Sequence, residues 1–417
     1  MIRISIPYGN ETLDISIPEE NLAAIVYPKE ATIRDDYSVL NEAIRNSLGT
    51  QTIEDFLRTQ AAVLFIVNDA TRPTRTSEVL DTIERYIQNK DLQFLVATGA
   101  HRAPNEQELR MIFGKYYKDY QDRILIHDAR NKGALEHYGK TRYGNELWLN
   151  KAITRFERIF VIGSVEPHYF AGFTGGRKSI LPGIAGYDTI EQNHKFAVHP
   201  KAKPLNLDGN PIHEEMVDCI NALRNRKIMS VQMVLDKNND IYEAFTGPID
   251  KAFEMATRTA QRIYCIRISA KADIVVTVAQ KPFDVDLYQT LKAIEHGRIA
   301  LKERGVLIVV SPCPEGLGPP SFARLFRKPT SIEDAVRSAK RGYQLGDHNA
   351  INLASLREKG EIWMVANISQ NLLHNAQIRQ FYSPQKAIQL AIQKKGAGAK
   401  ILILMNGSLT VPHIPQG

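Results

Sequence analysis

Short β-branched runs alternate with amphipathic stretches along most of this chain. Nine runs predict strands: Ala62–Val67, Gln93–Thr98, Arg123–His127, Ile159–Gly163, Ile228–Leu235, Ile274–Val278, Val306–Val310, Ile362–Ala366 and Lys400–Met405. Several are apolar without alternation, which suits strands of a parallel sheet covered on both faces. Between them, helices are predicted over Ser77–Asn89, Glu106–Phe113, Ile249–Arg262, Leu287–Glu303, Ser331–Arg341 and Pro384–Lys394. Met1–Ile6 alternates like a strand. Alternation of strand and helix to the end places the chain in the α/β class, with mainly parallel sheets flanked by helices. A length of 417 residues exceeds one ordinary core, so two domains are expected. The boundary is expected near 265–272, giving an N-terminal domain over 1–265 and a C-terminal α/β domain over 266–397. The last segment, 398–417, is expected to return to the first domain, because chain termini often lie close together.

Charge changes the picture little. The 53 basic residues exceed the 46 acidic ones by 7, without a dense Lys/Arg run of the kind that tracks nucleic acid. A solvated basic surface or a positive cleft for a small anion accounts for the excess. Cys219, Cys265 and Cys313 are far apart and odd in number, which speaks against a disulfide framework or a zinc knuckle. A reducing, cytoplasmic setting fits best. No apolar run approaches the roughly 20 residues that span a bilayer, so no membrane role is expected.

In α/β folds, functional side chains gather where strands end at their carboxyl termini. The unusual polar clusters lie there: Asn68–Pro73, Gly99–Arg102, Ser164–His168 and Ser311–Gly316. The richest stretch runs from Glu166 to His199 and holds Gly172, Gly175, Gly176, Gly183 and Gly186. Such density implies positive φ or close approach of a ligand to the backbone. Gly175-Gly176-Arg177-Lys178-Ser179 fails the P-loop template, because Arg177 stands where glycine must precede the lysine. A loop presenting Lys178 to a phosphate or an electrophile is the favoured reading, and a structural Gly-rich turn with a solvated lysine is the alternative. His168 and His194 flank it, and His101 sits at another strand end. Imidazole exchanges protons near neutral pH and ligates transition metals. No H-x-x-x-H or H-E-x-x-H spacing marks an ordinary zinc site, and His127 and His199 read as structural. Arg72 is placed to bind a carboxylate or phosphate, or simply lies in a turn before a helix begun near Pro73 or Thr74. Tyr288 and Lys292, four apart, share a helix face, and a lysine so near a helix start suggests an anion, or simply an exposed first turn. No G-x-G-x-x-G follows a strand, and no G-x-S-x-G is present.

The ordered set of motifs resembles the nickel-pincer lactate racemase family over essentially the whole chain. It comprises Asp69-x-Thr71-Arg72-Pro73, Thr98-Gly99-x-His101-Arg102, Glu166-Pro167-His168, Lys178-Ser-Ile-Leu-Pro-Gly183, Asn193-His194, Tyr288-Gln289-x-x-Lys292 and Gly407-x-Leu409-Thr410-Val411-Pro412. The resemblance implies an active site in an interdomain cleft. It implies nickel and a pyridinium-3-thioamide-5-thiocarboxylic acid mononucleotide, covalent at Lys178, with His194 as the nickel ligand. It implies His101 and His168 as acid/base residues on opposite faces of the substrate. Asp69, Thr71, Arg72, Gly175, Gly176 and Lys292 would hold the cofactor; Arg72, Tyr288, Gln289 and Lys292 would hold the substrate. The implied reaction inverts C2 of a 2-hydroxy acid through a 2-keto acid, by hydride transfer to and from the cofactor. Such a route suits the substrate, because removing the α-hydrogen as a proton beside a carboxylate is hard. Lactate, longer acids and sugar acids are all candidate substrates, and separate cofactor-maturation enzymes are implied partners. A related lyase or dehydrogenase, and a binding protein that captures an anion without turnover, are the alternatives.

Overall fold

In the computed structural model, which describes residues 1–29, 34–326 and 332–414, the chain forms two compact units. One comprises Glu30–Ile263; the other joins Met1–Lys29 to Tyr264–Gly417. Each is built on a six-stranded sheet.

In the unit Glu30–Ile263 the strands lie in the order Ile241–Pro248, Lys227–Leu235, Arg158–Ser164, Val63–Asn68, Leu92–Ala97, Ile124–Ile126. All neighbours are parallel except the first pair, which forms a hairpin. Phe65 packs within 5.2 Å of both Phe94 and Phe160, measured between ring centroids, so three neighbouring strands share one aromatic seam. The helix Thr76–Ile87 buries Val79, Leu80, Ile83 and Ile87, the three-and-four spacing that predicted it. The helix Glu106–Phe113 is closed by a capping box between Asn105 and Glu108.

In the other unit the order is Arg379–Phe381, Gly360–Val365, Leu301–Val310, Ala272–Val278, Ile401–Leu404, Leu22–Val26, parallel throughout. The hairpin Ile2–Tyr8 with Glu11–Ile17 buries Ile4, Ile6, Ile15 and Ile17 against one face of this sheet.

Several expectations are corrected. The segment 398–417 does not return to the unit Glu30–Ile263, because Ile401–Leu404 pairs between Ala272–Val278 and Leu22–Val26. Residues 1–29 join that same unit rather than an N-terminal domain. The helix predicted over Leu287–Glu303 ends at Ile299, and the next strand begins at Leu301 rather than Val306. The helix predicted from Ser331 is present over Ile332–Arg341, Ser331 itself lying outside the described residues. No helix among the described residues is long and apolar enough to cross a membrane.

Candidate active site

From Val63–Asn68 the sheet grows toward Leu92–Ala97 on one side and Arg158–Ser164 on the other. The order of strands therefore reverses between Val63–Asn68 and Arg158–Ser164, and ligands of such sheets bind outside the carboxyl ends of strands at that reversal. Side chains bridge the two strand ends there. Asn68 Nδ2 donates to Thr74 Oγ1 at 2.7 Å, and Thr74 Oγ1 lies 3.1 Å from Ser164 Oγ. Arg72 pairs with Glu166 at 3.2 Å. The Arg72 fork thus has a protein carboxylate partner, and the helix beyond it starts at Thr76 rather than near Pro73.

Asp69 joins the switch strand to the neighbouring strand end. Its Oδ2 lies 2.8 Å from His101 Nδ1, and its Oδ1 accepts from the Thr71 amide at 3.1 Å and hydroxyl at 2.6 Å. Burial alone would raise the Asp69 pKa. Hydrogen bonding and charge from His101, then Thr71 and Arg72, outweigh burial and hold it below the ordinary carboxylate value. The carboxylate therefore stays ionised and accepts from His101 Nδ1–H. The His101 ring remains about half exposed, at 47%.

Past Ser164 the chain makes a small antiparallel pair, Pro167–His168 with Gly172–Phe173, tied by Thr174 N–H to Glu166 O at 2.8 Å. His168 is buried and stacks on Tyr169, while its Nδ1 accepts from Ala171 N–H at 3.3 Å. Phe170 is a shared wall: its ring lies 4.4 Å from that of His168 and 5.2 Å from that of His194, edge-on to both. His194 is carried on the helix Tyr187–Lys195 and is half-buried.

Lys178 sits in a single helical turn, Gly176–Ser179. Gln232, fully buried on the strand Lys227–Leu235, accepts from Gly176 N–H at 2.7 Å and so fixes the turn's entry. Lys178 N–H donates to Gly175 O at 3.0 Å. At Gly176 φ is +52°, and a Cβ would lie 2.5 Å from the Phe253 ring. At Gly183 a Cβ would lie 2.2 Å from Ser179 O. Gly183 O accepts from Gly99 N–H at 2.9 Å, which ties the lysine loop to the His101 loop. His101, His168, Lys178 and His194 thus lie on contiguous segments of one unit. Among the described residues no group of three or more His, Cys, Asp or Glu side chains can hold a metal by itself.

Tyr288, Gln289 and Lys292 lie in the other unit, on the helix Leu287–Ile299 that follows the strand Ala272–Val278. Asp286 caps that helix through Gln289 N–H at 2.7 Å. Burial, partly offset by that bond, pushes the Asp286 pKa up to about 6. Lys292 is buried, with its ammonium 3.8 Å from the centroid of the Phe283 ring, a cation–π contact. Tyr288 packs edge-on against Phe322.

His127 is structural, as expected: buried, donating from Nε2 to Ala185 O at 2.9 Å and accepting at Nδ1 from Asn150. Sequence reasoning gave no role to Glu166, Phe170 or Gln232. Gln232 carried a signal, as a long polar side chain within a mostly apolar strand.

Two family models match the chain: the lactate racemase N-terminal domain over residues 8–204 and the lactate racemase C-terminal domain over 268–411. A lactate racemase of Thermoanaerobacterium thermosaccharolyticum is 32% identical over 346 residues, 81% of this chain and 80% of that one. A lactate racemase of Lactiplantibacillus plantarum is 26% identical over 98% of this chain and 99% of its own. The solved lactate racemase apoprotein of T. thermosaccharolyticum superposes with a TM-score of 0.90 at 28% identity, covering 99% of this chain and all of that one. A Thermotoga maritima protein shares the fold at a TM-score of 0.69 and 17% identity, over 91% of this chain and 97% of its own.

Proposed function

Because the chain belongs to the lactate racemase family of isomerases, we propose that it inverts the configuration at C2 of a 2-hydroxy acid, either lactate or a longer or sugar-acid analogue. One observation carries the reading. His101 follows the strand Leu92–Ala97 and His168 follows Arg158–Ser164, the two strands that flank Val63–Asn68. Two imidazoles thus leave the sheet on either side of the strand that carries Asp69. A racemase needs one acid/base group for each hand of its substrate, and this topology supplies a pair.

The two rings are held differently. Asp69 takes the His101 Nδ1 proton as a hydrogen bond, which leaves Nε2 with a lone pair to accept the substrate hydroxyl proton. His168 accepts at Nδ1 from Ala171, so its own proton sits on Nε2 and serves as a donor to a substrate oxygen. Burial of His168 among Tyr169 and Phe170 excludes water from that side. Arg72 is the proposed partner of the substrate carboxylate, by exchange of its contact with Glu166. Tyr288, Gln289 and Lys292 are proposed as further substrate contacts, and Lys292 as a contact of the cofactor as well.

The nickel-bearing pyridinium mononucleotide implied by the motifs would supply a hydride acceptor when bound. Lys178 would tether it and His194 would ligate the metal, with Asp69, Thr71, Arg72, Gly175 and Gly176 holding the remainder. The fit is supported by the amine on a turn fixed by Gln232 and the side-chain-free backbone at Gly176.

The test is racemisation of a panel of 2-hydroxy acids, read by chiral chromatography in D2O. The wild type is expected to interconvert both hands while the C2 hydrogen stays protium. H101A and H168A should each lower the rate roughly 10²–10⁴-fold, with the Lys178 adduct retained. Net accumulation of a keto acid or an alkene, or full activity in both variants, would refute the assignment.

A further inference from the structure

Glu215 is a fully buried carboxylate outside the site described above. It lies on the helix Pro211–Ala222, which starts at the Asn210 cap with proline in its first turn. Three side chains donate to it. Thr141 Oγ1 donates to Oε1 at 2.7 Å; Asn145 Nδ2 and Asn193 Nδ2 donate to Oε2 at 3.2 and 2.8 Å. Asn193 immediately precedes His194 on the helix Tyr187–Lys195.

The polarity of this network is fixed. Thr141 Oγ1 accepts from the Asn145 and Tyr143 amides at 3.1 and 3.3 Å, so its proton is directed at Glu215. Both carboxylate oxygens therefore only receive. The same helix is held a turn earlier, where Asn145 Nδ2 donates to Thr189 O at 3.0 Å and Thr189 Oγ1 to Glu146 O at 2.6 Å. Thr189 and Asn193, four residues apart, make one polar face of a helix that buries few apolar side chains. The orientation of that helix thus rests on hydrogen bonds, and Glu215 receives one of them directly, from Asn193, while also holding Asn145, which bonds Thr189 O on the same helix.

We infer that Glu215 is a positioning residue: it locks Asn193, and through it the helical turn that presents the His194 imidazole to a metal. The inference rests on the reading of His194 as the nickel ligand. Hydrogen bonds to ionised groups are the strong ones, and groups that orient a metal ligand typically matter about 10- to 100-fold in metal affinity. E215Q keeps the volume of the side chain but sets an NH2 group against a donor at either oxygen. N193A keeps the carboxylate and removes its link to the helix, together with the weaker bond from Asn193 Nδ2 to Ile212 O at 3.3 Å.

The experiment measures nickel release from cofactor-loaded protein under EDTA challenge, with the intact mass recorded alongside. Wild type, H194A, E215Q and N193A are compared. E215Q and N193A are expected to release nickel at least about tenfold faster than wild type while keeping the mass increase at Lys178. Loss of that mass increase together with the nickel would indicate general damage and overturn the proposal. Wild-type release rates in N193A overturn it too, and N193A decides alone if E215Q does not fold. If wild type releases nickel as fast as H194A, the His194 reading fails and this inference falls with it. If wild type outlasts H194A but both other variants match wild type, only the role of Glu215 falls.

Discussion

Asp69 is 6% exposed, and its carboxylate is satisfied by His101 and Thr71 rather than by water. An amide in its place offers an NH2 group or a weaker acceptor to the His101 ring. D69N is expected to cost at least roughly 10²-fold in racemisation, with the fold unchanged by circular dichroism; wild-type activity would deny the pair a role. His213 makes a separate prediction. Burial, and then the charges of Arg177 and Arg142, press its pKa from 6.5 down to about 4. A histidine depressed in the fold binds fewer protons folded than unfolded between those values. Its contribution is therefore present above pH 6.5 and is lost as pH falls toward 4, by up to roughly 3 kcal/mol. H213N should flatten the acid limb of a stability–pH curve, and an unchanged limb would contradict the depressed value. His101, His168, Lys178 and His194 were legible as residues because each stands out as chemistry in a loop, at a strand end or beside glycines. Glu215 was not legible, since in PIHEEMVDCINA it reads as one of two adjacent helix carboxylates. Its burial and its partners Thr141, Asn145 and Asn193 distinguish it from the neighbouring Glu214, which is only partly buried and accepts from the Tyr143 hydroxyl.

The lysine loop is held by close packing of backbone. Gly183 leaves no space for a methyl beside Ser179 O, and its carbonyl receives the Gly99 amide. G183A is expected to lower stability by about 1–3 kcal/mol and to impair loading at Lys178. Thermal denaturation and intact mass check the two halves, and a variant as stable and as fully loaded as wild type would contradict them. Most buried strands were readable, because parallel strands covered on both faces are continuous apolar runs. The helix Tyr187–Lys195 was not, for it buries Thr189, Ile190 and Asn193, and a polar face leaves no apolar period to detect. The edge strand Ile241–Pro248 was missed for a related reason. Its turn, where Asn239 takes φ +66°, was the available signal, but Tyr242 and Glu243 interrupt the apolar run.

The division of the whole chain was only partly readable. The passage near residue 264 from one unit to the next falls close to the expected boundary. Membership of the two ends did not follow from pattern, because a parallel strand declares that it is buried but not which sheet receives it. Leu22–Val26 and Ile401–Leu404 are neighbours in one sheet although nearly the whole chain separates them. The unit Glu30–Ile263 carries His101, His168, Lys178 and His194 together, and the proposed loading chemistry belongs to that unit. Its most direct test is intact-protein mass with metal analysis, on full-length protein produced alongside cofactor-maturation enzymes. The expected result is one nickel per chain and a mass increase that vanishes in K178A, with nickel lost in H194A while the mass increase stays. Protein of unmodified mass and without nickel, from cells that load a related lactate racemase in parallel, would contradict the account.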